Sequence, residues 1–243
     1  MLRTDRLDAY YGLFQALFGF TFEVRPGETV ALIGSNGAGK STLLRSIVGS
    51  VRTRPDGVLL DGRPVGGEPE RKQLDRGIAL VPEGRRLFPS LTVRENLQLA
   101  MRNGRKGPWT VERLMKEFPV MEAFQHRPAT ALSGGQQQLV ALSRALVCNP
   151  DYLLCDEISL GLSPVAVNEV YDLLGRARND GLAVVLVEQN VKRALAESDR
   201  YYCIKKGPGG PRGSIRIGRP GASRASLLRD LTWKRSLKRC WAA

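Results

Sequence analysis

The chain has 243 residues, 42% of them hydrophobic, enough for one sizeable globular unit with an inserted subdomain, and it carries a formal net charge of +13. Ten of those thirteen charges fall after Tyr202, where eleven Lys or Arg face the single acid Asp230, so the body is nearly balanced and the basic field belongs to a tail. The longest aliphatic run, residues 182–187, is far short of the ~20 residues that span a bilayer, and MLRTDRLDAYYG lacks the apolar core of a signal peptide.

Any attachment to a membrane is therefore expected through a partner. Cys148, Cys155, Cys203 and Cys240 match neither a CxxC metal pair nor a disulfide scaffold and read as reduced thiols.

In chain order, FGFTFEV and TVALIG read as two strands joined by the turn RPGE. A glycine-rich loop follows, then a helix over residues 40–48 with Leu43, Leu44, Ile47 and Val48 on one side and Gly49 as its stop. VLLDGRPV suggests an edge strand with an Asp-Gly turn, and GIALVPEGRRLFP a buried strand running into a loop. Residues 91–146 turn helical, with TVRENLQLAM, VERLMKEF and GGQQQLVALSRALV as separate amphipathic segments. YLLCDE and AVVLVEQ return as strands around a helix over 163–178, so a parallel α/β sheet resumes after the helical block. Beyond Gly207, GPGGPRG and an Arg-, Ser- and Gly-rich run indicate a loosely ordered extension.

Three segments carry chemistry. The loop 34–42, GSNGAGKST, matches G-x-x-x-x-G-K-[ST] between a strand and a helix, where glycines let successive N–H groups and the helix N-terminus face phosphate. Gly34, Ser35, Asn36, Gly37, Ala38, Gly39, Lys40, Ser41 and Thr42 are the expected ATP-binding residues, with Lys40 reaching the β- and γ-phosphates and the Ser41 hydroxyl on Mg²⁺. YLLCDE ends an apolar strand in two acids: Asp156 would hold Mg²⁺ and Glu157 would activate water as the base. In LSGGQQQ, residues Leu132, Ser133, Gly134, Gly135 and Gln136 open a helix and form a second anion site, its two glycines exposing backbone N–H groups.

Together, in this order and spacing, these motifs over residues 1–202 closely resemble the ATP-binding subunits of ABC transporters. The resemblance implies an α/β P-loop NTPase fold, the ABC ATP-binding cassette, with an N-terminal antiparallel β region and a helical subdomain inserted at about 86–144. Residues 203–243 would be a basic C-terminal extension. It also implies that two such domains pair head to tail, so that the signature 132–136 serves the ATP of a second ATP-binding subunit, identical or different. Tyr11 falls where the family stacks an aromatic on adenine. Glu83 takes the place of the glutamine that senses Mg²⁺ and couples to the permease, and SLGLSP faces the opposite subunit. VPEGRRLFPSLTVRENL, SLGLSP and VEQN resemble the branched-chain amino-acid importer subgroup.

On this resemblance Gln189 stands at the switch position, where a histidine is usual, and its carboxamide reaches the γ-phosphate without titrating near neutral pH. His126 reads as a solvated or capping residue. Ile158 stands where proline is usual, which would leave the loop after Glu157 less rigid. The implied protein is an ATPase on the cytoplasmic face of the membrane, using ATP and Mg²⁺ and docked on transmembrane permeases. The alternatives are a urea or short-chain amide importer ATPase, a degenerate or regulatory ATP-binding subunit, and a nucleic-acid-associated ABC ATPase, to which one signature and a short helical insertion are ill suited.

Overall fold

The computed structural model describes residues 1–204 and 217–218. The first strand, β1 (Leu2–Tyr11), pairs antiparallel with β2 (Phe14–Val24). Sequence periodicity misses β1 because its alternation is broken: the pairing register shifts three times, once at Arg6, which sits at φ 42°. After the Pro-Gly turn come β3 (Thr29–Gly34), α1 (Lys40–Ile47) and β4 (Arg52–Thr53). Gly49 at φ 81° ends α1 in the left-handed conformation, and a Cβ there would strike the carbonyl of Glu68. β5 (Val58–Leu60) and β6 (Arg63–Pro64) form the small hairpin across Asp61-Gly62. Then follow α2 (Glu70–Asp75), β7 (Ile78–Val81), α3 (Val93–Asn103), α4 (Val111–Glu117), α5 (Pro119–Phe124) and α6 (Gly134–Leu146). The chain returns through β8 (Tyr152–Asp156), α7 (Pro164–Asn179), β9 (Ala183–Val187), α8 (Val191–Ala196), β10 (Arg200–Ile204) and β11 (Ile217–Gly218).

Among the described residues the strands make two sheets. One is antiparallel, in the order β2-β1-β5-β6 with β4 also on β1. The other runs β11-β10-β3-β9-β8-β7 and is parallel from β10 to β7. Strands buried on both faces explain the unbroken apolar runs of the sequence. Leu153, Cys155, Val184 and Leu186 point to the core shared with α3 to α7, while Leu154, Val185 and Val187 point to the core under α1 and the antiparallel sheet. The helices between β7 and β8 thus pack into one cluster with the parallel sheet. α3 begins at a capping box made by Thr92 and Glu95, and the buried Asn96 bonds the loop before it at Phe88, Leu91 and Thr92.

The boundary expected after Tyr202 falls within a strand. β10 continues through Cys203 and Ile204, which pair with Ile33 and Gly34 of β3. Arg200, buried, fastens this strand by donating to both Glu28 oxygens at 2.7 and 3.0 Å and to Glu23 at 3.2 Å. The extension expected as loosely ordered contributes β11, paired antiparallel to Tyr201 and Tyr202. Its remaining residues, 205–216 and 219–243 with Cys240, lie outside those described. Cys148, Cys155 and Cys203 are buried.

Candidate active site

The end of the parallel sheet where the expected nucleotide loop lies is built by β3, β8 and β9. β3 delivers the loop 34–39, in which Gly37 and Gly39 sit at φ 76° and 92°. At Gly34 a Cβ would strike the Ile204 carbonyl, so that strand end tolerates only glycine. α1 has Gly39 at its N-cap, no side-chain cap and no acid in its first turn, which leaves its N–H groups directed at an incoming anion. Lys40 is buried and folds back along the loop, donating to the carbonyls of Gly34 at 2.9 Å and Ser35 at 3.1 Å. Burial lowers its pKa, against the pull of Glu157 and Asp156.

Ser41 donates from Oγ to Asp156 Oδ1 at 2.9 Å. Asp156 is 1% exposed, and its burial raises its pKa although Ser41 and Arg45 oppose the shift. Two hard oxygens side by side near the expected phosphate loop, one of them a buried carboxylate lacking full compensation, suit Mg²⁺. No group of three or more His, Cys, Asp or Glu able to hold a metal occurs among the described residues.

Glu157 follows in the left-handed region at φ 52°, with its N–H on the carbonyl of Val187 at 2.9 Å. Its Oε2 accepts from Gln189 Nε2 at 2.7 Å. The two expected catalytic side chains therefore meet, although they come from different strands. Tyr11, Asn36, Gly37, Gly39, Lys40, Ser41, Thr42, Glu83, Glu157 and Gln189 all line one cleft of about 560 Å³. Glu83 is exposed on its margin and Tyr11 is 45% exposed. Phe14, 69% exposed in the same cleft, escaped the sequence reading, although YYGLF offered it beside Tyr11. His126 is exposed and outside this cleft.

The signature residues 132–136 do not line the cleft. Ser133 caps α6 in a reciprocal box with Gln136, at 3.3 and 3.0 Å. At Gly135 a Cβ would strike the Cβ of Ala166, so its glycine also serves close packing of α6 on α7. Gly134 lies against the Arg85 guanidinium, 3.0 Å from where its Cβ would stand. Sequence patterns gave no sign of the bracing between this helix and the loop after β7. Arg85 donates to Gln137 at 3.0 Å, and Arg144 donates to the carbonyls of Arg86 at 2.6 Å and Arg85 at 3.3 Å. Arg85 and Arg86 are both left-handed, at φ 63° and 50°, and Arg144 holds that unusual turn in place.

The loop after Glu157 is more constrained than the missing proline suggests. Ile158 is 1% exposed in the helical core, and Ser159 is bonded to Glu188, a buried carboxylate that motif reading passed over.

A family model described as ABC transporter matches residues 17–159. The chain is 40% identical over 209 residues to the high-affinity branched-chain amino acid transport ATP-binding protein BraG of Pseudomonas aeruginosa, covering 85% of this chain and 90% of the relative. It is 37% identical to the probable branched-chain amino acid transport ATP-binding protein LivF of Archaeoglobus fulgidus, covering 85% and 89%. To the lipopolysaccharide export system ATP-binding protein LptB of Haemophilus influenzae it is 32% identical, covering 85% and 88%. Among solved structures, an ATP-binding subunit of an ABC transporter superposes with a TM-score of 0.76 at 28% identity, covering 95% of this chain and 99% of that one. A dimeric ATP-binding cassette bound to ADP and Pi superposes with a TM-score of 0.73 at 25% identity, covering 92% and 100%.

Proposed function

The chain belongs to the ABC transporter family as an ATP-hydrolysing, ATP-binding subunit, and from that premise we propose that it energises an importer of branched-chain or related amino acids. The observation that carries the substrate class is the identity of 40% and 37% to two branched-chain amino-acid subunits, against 32% to the lipopolysaccharide export subunit over the same share of the chain. VPEGRRLFP, SLGLSP and VEQN support the same reading.

In this reading the loop 34–42 and the N-terminus of α1 hold the triphosphate, Lys40 exchanges its two carbonyl partners for phosphate oxygens, and Tyr11 flanks the base. Ser41 and Asp156 would hold Mg²⁺, with Glu83 nearby; that ion would supply charge neutralisation at the triphosphate. Glu157 takes the proton of the attacking water and Gln189 orients Glu157. Glu83, Asp156 and Glu157 together outnumber Lys40 and Arg45, so the site disfavours bare ATP and favours its metal complex. Residues 132–136, absent from the lining of their own chain's cleft, fit a role on the nucleotide of a second copy or a second ATP-binding subunit. No helix among the described residues is long and apolar enough to cross a membrane, which fits a peripheral subunit held on the cytoplasmic face by permeases. The meeting of Gln189 and Glu157 at 2.7 Å favours a working site over a degenerate one.

Purification of the chain from membranes with identification of the bound permeases, followed by labelled leucine uptake in cells lacking it, tests the assignment. Uptake should fail and return with the intact gene but not with Glu157→Gln, whose turnover falls by ~100-fold or more. Copurification with lipopolysaccharide-export components and undiminished leucine uptake would reject it.

A further inference from the structure

Residues 188 and 189 leave the end of β9 in opposite directions. Gln189 is exposed and reaches Glu157 from the nucleotide cleft, while Glu188, 3% exposed, turns inward beneath it. The Glu188 carboxylate accepts three hydrogen bonds: from Ser159 N at 3.1 Å, Ser159 Oγ at 2.6 Å and Tyr171 OH at 3.0 Å. Ser159 belongs to the loop that leaves β8 through Glu157, and Tyr171 is on α7. Glu157 itself is tied to β9 by its N–H on Val187. The loop carrying Glu157 is therefore clamped to β9 on both sides of Ile158, once by backbone and once by a buried side chain.

A buried carboxylate is costly unless its partners are well placed, and one apolar residue would fill this position at less expense in desolvation. Its presence here, bonded by three donors, points to a role that an apolar side chain cannot fill. We propose that Glu188 is a positioning residue for hydrolysis, which sets the loop 157–159 against β9 so that the Glu157 carboxylate meets the Gln189 carboxamide. The inference rests on the reading of Glu157 as the base. Glu188 touches neither the expected phosphate loop nor the expected metal position, so its effect is on the rate of the chemical step and not on the affinity for nucleotide.

The variants are made in the full chain, assembled with the permeases it copurifies with, and kcat and KM for MgATP are measured beside thermal melting. Glu188→Leu keeps the volume and leaves the Ser159 and Tyr171 donors without an acceptor. It should lower kcat by about 10- to 100-fold while KM stays within about twofold. Glu188→Gln has an oxygen for Ser159 N and Tyr171 OH and an amide that can donate to Ser159 Oγ, so it should restore kcat to within about threefold of the parent. Where Glu188→Leu does not fold, the pair Ser159→Ala and Tyr171→Phe removes two of the three donor contacts from the other side and should lower kcat alone. Parental kcat in the Leu variant, an equal loss in the Gln variant, or parallel loss of kcat, nucleotide affinity and melting temperature would each overturn the proposal. Glu157→Gln, run alongside, tests the base separately: parental turnover there would remove the reading on which the inference rests, whatever the Glu188 variants do.

Discussion

Replacing Gln189 by alanine removes one contact whose worth can be worked out. Its Nε2 donates to Glu157 Oε2 at 2.7 Å, a short bond to an expected carboxylate. Charge-assisted bonds of this kind contribute ~1.5 to 3 kcal/mol, and exposure of both groups to the cleft sets the lower end. At about 1.4 kcal/mol for each factor of ten, kcat should fall roughly 10-fold. The KM for MgATP should move little, because in the proposed role the lost bond orients Glu157 and does not hold phosphate. Gln189→Glu should do worse than alanine, since it sets a like charge against Glu157. Gln189→His keeps a donor but introduces a group that titrates near pH ~6.5, so the parental rate should be nearly flat between about pH 6.5 and 8 and the histidine variant should bend within it. Phosphate release at saturating MgATP, measured with the permeases present, reads all three. An alanine variant that hydrolyses at the parental rate would refute the argument and take Gln189 out of the site.

Lys40→Ala should abolish hydrolysis while leaving the melting temperature within a few degrees, because the ammonium bonds only its own loop; activity at the parental rate would reject the nucleotide assignment. Burial holds the Glu188 carboxyl above its ordinary pKa of 4.5 in spite of its bonds from Ser159 and Tyr171. A raised folded pKa contributes stability that is full below the unfolded value and is lost as the pH rises through the folded one, so Glu188→Gln should melt higher than the parent near neutral pH and converge with it toward pH ~4. Equal melting curves at both ends of that range would contradict the sign. Gly49→Ala should cost at least ~1 to 3 kcal/mol in chemical unfolding, from its left-handed φ and the clash with the Glu68 carbonyl, and a change under ~0.5 kcal/mol would show that the turn yields.

What the sequence made legible was chemistry confined to short windows. GSNGAGKST and YLLCDE declare a loop and a strand end because each needs particular residues at consecutive positions, and the apolar runs of β3, β8 and β9 declare strands because both faces are buried. β1 was hidden by its bulges. β10 was hidden by Arg200, whose charge is compensated by Glu23 and Glu28 on distant parts of the chain. Glu188 was hidden by its neighbour: in VEQN the departure at Gln189 draws attention, and the acid before it reads as the edge of a strand until Ser159 and Tyr171 converge on it. The bracing of the turn after β7 by Arg144 likewise exists only once α6 is packed beside it.

The strand order of the parallel sheet also fixes when the site can come into being during synthesis. β3, which carries the phosphate loop, lies between β10 and β9, so Thr29 waits for Val184 and Val30 for Arg200. Contacts so distant in sequence form slowly and late, since loop closure must precede any gain from pairing. The loop that would grip ATP therefore leaves the ribosome early but has no sheet to brace it until the last strands have followed, and Glu157 has no Val187 carbonyl to hold it before then. A growing chain thus lacks the braced loop and the placed Glu157 until β9 and β10 have been made. The same order leaves TVALIG without strand neighbours for most of translation, so early cover from the β1–β2 hairpin and α1 is what keeps that apolar segment from pairing with other chains.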